Sequence, residues 1–598
     1  MRKRLSFVNT GVFARDQDAL MNEPHEESPT ERLDRLLHVA AAPLTGGLSP
    51  VSLSLAWADW AWHLGVSPGR QMELAALAAQ LGADTLQGNG NPAGAADEDP
   101  RFRHPDWEAW PFHLMRVGFG NAETWWHAAA KLPGMTPHHA ELTDFMARQW
   151  LGALTPANWL PGNPVVLHAN LEKLGAPLRQ GWLNWLEDMA TPASERAAAE
   201  REAHFKVGRD VAVTPGEVVM RNGLAELIRY TPQTKTVHPE PVLIVPSWIM
   251  KYYILDLSPH NSLVRWLVSQ GHVVYMLSWK NPDAADHELT MDDYLQRGPL
   301  DALRAIAKLE PKQPVHAMGY CLGGTLMAIA AAALAGEGAI ADRKRMAALK
   351  TLTLLAAQVD FSEPGELGLF VDESQVAYLQ EQNRERGYFP GEAMAGSFQF
   401  LHSRDLVWTR RMREYLMGER EQPSDLMAWN SDTTRMPARM HHEYLVSLYL
   451  HNALAMGTYR VGGHDGKALS LADLHLPVFM VGTTRDHVSP WRSVYKLHHL
   501  CDAEISFALV SGGHNAGIVS EPGHAHRSYR LATRPARGAW IAADDWERQA
   551  AEHEGSWWPA WQQWLAGHSS RRRAPLRLPR GASLGAAPGE YVLKCYPD

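Results

Sequence analysis

The segment PVHAMGYCLGGTLMAIAAAAL, residues 314–334, constrains the fold more than any other part of the chain. It opens with a short apolar run that is typical of a strand buried on both faces. The sequence Gly-Tyr-Cys-Leu-Gly-Gly follows, and an apolar segment of helical length comes directly after it. A buried strand that turns straight into a buried helix indicates a layered α/β protein, with Cys321 at the tip of the turn.

From about Phe205 onward, short apolar runs alternate with amphipathic segments of helical length. This alternation is typical of βαβ units and predicts an α/β fold with a mainly parallel sheet covered by helices on both faces. Predicted helices include Ser262–Gln270 and Met291–Leu309. The predicted strands are Val242–Val245, Val273–Leu277, Val315–Gly319, Leu352–Ala356, Val478–Gly482 and Ile505–Val510.

The chain is predicted to have a helical part followed by this α/β part. Residues 1–30 are polar and are predicted to be disordered, whereas 31–204 carry apolar residues at helical spacing, which predicts an all-α N-terminal domain. Residues 205–598 are predicted to form the catalytic domain. Within it, the stretch of about 361–473 is too long for a plain connection, so we interpret it as a cap insertion over the active edge of the sheet.

Composition and charge argue against several classes of protein. The net charge of −9 is spread without strong blocks, which argues against a nucleic-acid-binding protein with its basic face. No continuous apolar segment follows the charged start, and the longest apolar run, Leu326–Ala335, is too short to span a bilayer. The three cysteines provide neither a disulfide framework nor the spacing of a zinc site. We therefore expect a cytoplasmic protein without a metal site.

A strand, Gly-x-Cys-x-Gly and a helix make up the layout of the nucleophile elbow in α/β-hydrolases. Small residues at Gly319 and Gly323 keep such a turn free of clashes, and Gly324 lets the helix approach the sheet closely. The N-terminus of the helix is expected to lie under Cys321, where its dipole favours a thiolate. The backbone N–H of Leu322 is expected to donate to the oxyanion.

An elbow predicts two partners that follow it along the chain, an acid and then a histidine. Asp486 comes just after a late strand in VFMVGTTRDHVSPW, and His514 follows the next strand in ISFALVSGGHNAG. Three residue types in this order, each at the carboxyl end of a strand, predict a catalytic triad. The alternatives are an inert core cysteine at 321, a turn-capping carboxylate at 486 with His487 as a competing neighbour, and a plain loop histidine at 514.

These residues resemble the polyhydroxyalkanoate synthase family, in its single-chain class. GYCLGG matches the family's Gly-x-Cys-x-Gly-Gly box, and the resemblance extends through VLIVPSWIMKYYILDL, AWNSDTTRMP, TTRDHVSPW, GGHNAGIVSEP and GSWWPAWQQWL to cover nearly everything after residue 30. The sequence departs from the family pattern after the third strand and in the histidine loop, where Gly-Gly-His-Asn stands for the more familiar Ser-Gly-His-Ile. Ser247 replaces a proline, Met250 an asparagine and Asn515 an isoleucine. The second oxyanion N–H is assigned to Trp248, in the same segment.

The resemblance implies that Cys321 is the acylated nucleophile, His514 the general base and Asp486 its partner. The implied substrate is an (R)-3-hydroxyacyl group on coenzyme A, and no cofactor is expected, because coenzyme A is part of the substrate and a product. Transfer to a cysteine exchanges one thioester for another and keeps the acyl group activated, which a serine would not do. The resemblance also implies a homodimer and a polyester granule surface as a partner.

Two other functions are compatible with the same residues. An intracellular polyester depolymerase or thiol esterase would use the same triad with water as the acceptor. A catalytically inactive granule-coating protein is the second alternative, and the intact Cys321, Asp486 and His514 argue against it.

Overall fold

The computed structural model describes residues 28–30, 32–33, 47–88, 99–336, 338–401, 407–463 and 465–595. The predicted disordered segment, 1–30, lies outside these residues except for its last three positions. Of those three, 29 and 30 are helical.

Helices make up the regular structure of the described residues before 205. Four of them begin with proline, whose fixed φ suits the first helical position. The side chains of Ser49, Thr136 and Asn163 accept hydrogen bonds from the first free backbone N–H groups of three of these helices. The longer helices are α1 (Pro50–Gly65), α2 (Pro68–Gln87), α3 (Phe112–Ala130), α4 (Pro137–Leu154), α5 (Pro164–Glu172), α6 (Ala176–Ala190) and α7 (Ala193–His204).

The large sheet of the described residues has eleven strands in the order β10-β9-β8-β7-β6-β5-β3-β4-β2-β1-β11. Its six central strands, from β8 to β4, run parallel, and they are the six strands predicted from the sequence. Both edges are antiparallel. The strands are β1 (Gly216–Arg221), β2 (Ala225–Tyr230), β3 (Val242–Val245), β4 (Val274–Trp279), β5 (Val315–Tyr320), β6 (Leu349–Leu355), β7 (Val478–Thr483), β8 (Ile505–Val510), β9 (Ser528–Arg534), β10 (Ala551–Glu554) and β11 (Gly585–Ala586).

The predicted helix 291–309 is interrupted in the structure. A π-helical turn, Gln296–Leu300, contains Pro299, which has no N–H to donate to the regular helical pattern. Helices among and after the central strands are α8 (Leu263–Ser269), α9 (Met291–Leu295), α10 (Asp301–Leu309), α11 (Leu322–Ala335), α16 (Trp491–Tyr495), α17 (Leu497–Leu500), α18 (Ala543–Gln549) and α19 (Trp558–Gly567).

The insertion between β6 and β7 is itself largely helical and carries the N-terminal helices on its surface. The ring of Phe145 on α4 lies 5.4 Å from that of Phe370 and 5.7 Å from that of Phe400. The side-chain amide of Asn184 on α6 donates to the carbonyl of Glu414 at 2.9 Å. The helices of the insertion are α12 (Glu373–Arg386), α13 (Gly391–Leu401), α14 (Asp425–Asn430) and α15 (Ala438–Tyr444), with π-helical turns at Met412–Leu416 and Leu445–Leu450.

The most apolar helix, α11, is buried in the main core along nearly its whole length of 14 residues. Helix α11 directly follows β5, and its burial fixes the turn between them. A search of the described ranges finds no helix with the length and apolar character that crossing a membrane would require.

Candidate active site

Cys321 occupies the tip of a strained turn between β5 and α11. Its φ is +53° and its ψ is −128°, a backbone conformation that non-glycine residues rarely adopt. Its N–H donates to the carbonyl of Leu355 at 2.9 Å, and its own carbonyl accepts from Gly324 at 2.8 Å. The thiol therefore lies at the carboxyl end of β5 and at the N-terminus of a buried helix, where the helix dipole favours negative charge.

The elbow glycines lie where no side chain fits. A Cβ on Gly323 would lie 2.3 Å from the carbonyl oxygen of Val245, and one on Gly324 would lie 2.4 Å from the Cβ of Ala357. A Cβ on Gly319 would lie 2.4 Å from the Cα of Gly324. The elbow thus contacts the segments that follow β3 and β6, which places both segments beside Cys321.

Cys321, His514 and Asp486 come together at this edge, because Asp486 follows β7 and His514 follows β8. His514 Nδ1 lies 2.8 Å from Asp486 Oδ2, and the ring of His514 lies 5.7 Å from that of Tyr320, the residue before Cys321. The other carboxylate oxygen, Oδ1, accepts from the backbone N–H of Val488 at 2.9 Å and of Ser489 at 2.7 Å. Asp486 therefore caps a turn and orients the histidine at the same time. His487 is exposed.

Electrostatic interactions favour the charged forms of His514 and Asp486. Burial alone would lower the pKa of His514, but the negative charges of Asp486 and Cys321 outweigh burial and raise that pKa well above its usual value. Burial would raise the pKa of Asp486, whereas the charge and hydrogen bond of His514 lower it. An imidazolium held by a carboxylate stabilises a neighbouring thiolate, which is the nucleophilic form of cysteine.

Two backbone N–H groups were assigned to the oxyanion, those of Leu322 and Trp248. Leu322 is the first residue of α11, whose initial N–H groups have no partner within the helix. Trp248 lies in the loop after β3, and its carbonyl accepts from Thr434 Oγ1 at 2.6 Å. The next residue, Ile249, lines the pocket at Cys321. Leu322 thus belongs to the elbow and Trp248 to a neighbouring loop, and their role as oxyanion donors stays a prediction.

A narrow pocket lies directly over Cys321, of which only 7% is exposed. Residues from the elbow, the loop after β3, the end of β6, the Asp486 turn and the insertion all contribute to its walls. The apolar lining residues are Ile249, Leu322, Phe361, Leu367 and Val488, and the polar ones are Thr325, Gln358, Tyr444, Tyr449 and Ser489. The predicted cap segment thus contributes three aromatic side chains, Phe361, Tyr444 and Tyr449, and one leucine, Leu367, to the pocket.

Two of the residues that depart from the family pattern take part in local hydrogen bonds. Tyr320 Oη donates to Asn515 Oδ1 at 2.6 Å, which ties the histidine loop to the strand that carries Cys321. The N–H of Ile249 donates to Ser247 Oγ at 3.5 Å. Met250 forms an antiparallel bridge with Thr433, so the loop after β3 is fixed to the insertion.

Sequence reasoning did not identify Gln358, Tyr444 or Tyr449. The two tyrosines are five residues apart, and the π-helical turn Leu445–Leu450 places them side by side, with Tyr444 Oη donating to Tyr449 Oη at 3.3 Å. Such a turn has no clear sequence signal. Gln358 lies in LLAAQVDF, directly after a predicted strand. Its position at the end of β6 could therefore have identified it as a candidate residue of the site.

Family models match three parts of the chain. The N-terminus of poly-beta-hydroxybutyrate polymerase (PhaC) matches residues 98–267, and a second model of the N-terminal part of that polymerase matches 28–70. The α/β hydrolase fold matches 240–521, which contains the elbow, the acid and the histidine. The last match agrees with the predicted fold class.

Several bacterial proteins are similar along most of the chain. Poly(3-hydroxyalkanoate) polymerase of Methylorubrum extorquens is 39% identical over 500 residues, which cover 83% of this chain and 80% of the relative. The polymerase subunit PhaC of Rhizobium etli is 37% identical and covers 83% of this chain and 77% of its own length. The corresponding subunit of Cupriavidus necator is 37% identical, with 75% of each chain covered.

Proposed function

Because the chain belongs to the poly(3-hydroxyalkanoate) polymerase family, we propose that it joins (R)-3-hydroxyacyl groups from coenzyme A thioesters into a polyester, with Cys321 as the acyl carrier. The enzyme is accordingly an acyltransferase. The observation that carries the assignment of Cys321 is its position at the elbow tip, at the same edge of the sheet as a histidine that is itself held by Asp486. The proposal includes no cofactor, because the thioester itself supplies the driving force.

In the first half-reaction, the Cys321 thiolate attacks the thioester carbonyl. The carbonyl oxygen becomes negative, and N–H groups at the start of α11 and in the loop after β3 are suited to stabilise it. The bond to coenzyme A then breaks, and the leaving thiolate takes a proton from His514. The acyl group is now bound to Cys321 as a second thioester.

In the second half-reaction, the 3-hydroxyl of another hydroxyacyl thioester attacks the acyl group on Cys321. His514 accepts the hydroxyl proton, and an ester bond forms as the bond to Cys321 breaks. The lengthened chain, still on coenzyme A, returns to Cys321 with release of coenzyme A. Asp486 keeps the imidazole oriented through both steps. Its hydrogen bond is to Nδ1 of His514, so Nε2 is left to exchange protons with the reacting groups.

Exclusion of water is what separates a polymerase from an esterase on this fold. The pocket over Cys321 is narrow, and Phe361, Tyr444 and Tyr449 of the insertion form part of its walls. A closed, largely apolar site keeps water from the acyl-cysteine and leaves a hydroxyl of the substrate as the acceptor. Substrate entry then requires the insertion to move.

The function is tested with purified protein and (R)-3-hydroxybutyryl-coenzyme A. We expect release of coenzyme A together with an insoluble polyester, and a mass increase confined to the peptide that contains Cys321. A depolymerase or thiol esterase would instead release free hydroxyacid and make no polymer. A granule-coating protein without activity would release no coenzyme A, and either result would contradict the proposal.

We propose that the N-terminal helices contact the polyester surface. Most of the large apolar side chains that the described residues expose lie on these helices, including Trp62, Trp150 and Trp182. Exposed apolar side chains in such number mark a surface that binds an apolar partner, and tryptophan suits a boundary between water and an apolar phase. The water-insoluble product is that partner. The enzyme would then reside in the cytoplasm on polyester granules.

Replacing Trp62, Trp150 and Trp182 together with alanine is expected to lower the fraction of enzyme that sediments with preformed polyester by at least about threefold. Coenzyme A release from soluble substrate in the first turnovers should change little, since these side chains lie outside the pocket. Trp540→Ala is the control, because Trp540 is similarly exposed but lies outside the helices. Unchanged sedimentation of the triple variant would contradict the proposal. A shift from dimer to monomer without loss of sedimentation would assign the surface to the homodimer that the resemblance implies.

A further inference from the structure

The pocket at Cys321 contains a buried polar group that the triad does not use. Gln358 lines this pocket and is only 4% exposed, and its Nε2 has no hydrogen-bond acceptor among the described residues. An amide donor that is buried without an acceptor is costly, and folded proteins keep few of them. The hydroxyl groups of two other lining residues do have acceptors: Thr325 donates to a carbonyl, and Tyr444 donates to Tyr449.

The elbow itself fixes the position of Gln358. The residue follows β6, and its carbonyl accepts from Oγ1 of Thr325, in the first turn of α11, at 2.8 Å. Immediately before it, Ala357 is packed so closely against Gly324 that an added Cβ would lie 2.4 Å from its own. The backbone of Gln358 is therefore anchored to the helix that begins at Cys321, without help from the insertion.

The order of the strands indicates which substrate atom Gln358 can reach. The strand that carries Cys321, β5, lies between β3 and β6. The loop with the predicted second oxyanion N–H, that of Trp248, follows β3, whereas Gln358 follows β6, on the opposite side of the nucleophile. A thioester oxygen held on the β3 side faces away from Gln358. The next oxygen of a 3-hydroxyacyl group is on the third carbon and can extend to the β6 side.

We propose that Gln358 donates a hydrogen bond to the 3-oxygen of the acyl group on Cys321 and thereby selects 3-hydroxyacyl over plain acyl substrates. This inference rests on the proposed function. A donor suits both forms of that oxygen, because the free hydroxyl of the first unit and the ester oxygen of a growing chain both accept hydrogen bonds. The apolar side chains of Phe361 and Leu367 in the same pocket suit the hydrocarbon part of the acyl group.

The test compares first-turnover release of coenzyme A from (R)-3-hydroxybutyryl-coenzyme A and from butyryl-coenzyme A, which lacks the 3-oxygen. We expect the parent enzyme to prefer the hydroxyacyl thioester. In Gln358→Met, which keeps the side-chain length and removes the donor, the ratio of the two kcat/KM values should fall about tenfold. Its melting temperature should be unchanged or higher, since the substitution removes an unpaired buried polar group. Gln358→Leu, which has neither a donor nor an acceptor, should lose the same preference.

Gln375→Met is the matched control. Gln375 is also 4% exposed, but its amide is fully engaged, accepting from the N–H of Ser49 at 2.6 Å and donating to the carbonyl of Gly47 at 3.0 Å. This variant should lose thermal stability and keep the substrate ratio of the parent. A parent-like ratio in both Gln358 variants would overturn the inference while leaving the polymerase function intact. A parent enzyme that releases coenzyme A from neither thioester would overturn both.

Discussion

Replacing Cys321 with serine is expected to abolish polymer formation, with a fall of at least about 10³-fold in coenzyme A release. Serine is a poorer nucleophile at neutral pH, and an acyl group on it would be an oxygen ester. Transfer of the acyl group from that serine to the 3-hydroxyl of another unit replaces one oxygen ester with another. Little driving force therefore remains for chain growth. The thioester on cysteine keeps that driving force. Coenzyme A release, insoluble product and the mass of the peptide containing residue 321 measure the effect.

The other cysteines supply the control for this experiment. Cys595 is exposed and lies 3.6 Å from a carboxylate oxygen of Asp432, far from the triad in the chain and outside the pocket. Cys595→Ser should therefore keep coenzyme A release and polymer yield at the parent level. Polymer formation by Cys321→Ser at the parent rate would mean that residue 321 carries no acyl group, and the mechanism proposed above would be wrong.

The central sheet was predictable because its strands are buried on both faces. In β5, for example, every residue is buried, and the structure begins the strand at the predicted residue and extends it by one. The five antiparallel strands at the two sides of the sheet carry no continuous apolar run; even β2, which is buried along its whole length, contains Glu226 and Arg229. In β10, for example, every residue of Ala551–Glu554 is exposed, so its sequence has no apolar face. The segment is a strand because its backbone pairs with that of β9. Its side chains give no sign of this pairing.

The triad was predictable, whereas the rest of the pocket was not. Cys321, Asp486 and His514 each follow a strand of the parallel sheet, and the carboxyl ends of such strands meet at one edge. Tyr444 and Tyr449 come from the insertion, whose packing over the sheet depends on contacts distant in sequence. No local pattern fixes how an insertion of this length folds back. Gln358 was partly predictable. Its position at the end of a strand was evident from the sequence, but the lack of a hydrogen-bond acceptor for its side-chain amide was not.

The second large expected effect is a loss of stability in mild acid. Four buried histidines have pKa values far below their usual range, because burial disfavours the charged form: about 3 for His272, His441 and His498, and about 4 for His316. Unfolding exposes each ring, whose pKa then returns to about 6.5. The unfolded chain therefore binds more protons than the folded one below about pH 6.5. Stability should fall as the pH falls from there toward 4, by about 2 kcal/mol per histidine at pH 5.

His272 offers the sharpest test of this acid sensitivity. It is fully buried, its ring is stacked on that of His238 at 4.7 Å, and neither ring nitrogen has a partner among the described residues. His272→Leu should therefore break no hydrogen bond. In denaturant unfolding followed from pH 7.5 to 4.5, this variant should lose about 2 kcal/mol less than the parent by pH 5. His260→Gln, at an exposed position, should follow the parent curve. A buried neutral histidine takes up a proton when the protein unfolds in acid, so removing His272 should flatten the dependence of the unfolding free energy on pH. If that dependence is the same in His272→Leu and the parent, the acid sensitivity arises elsewhere.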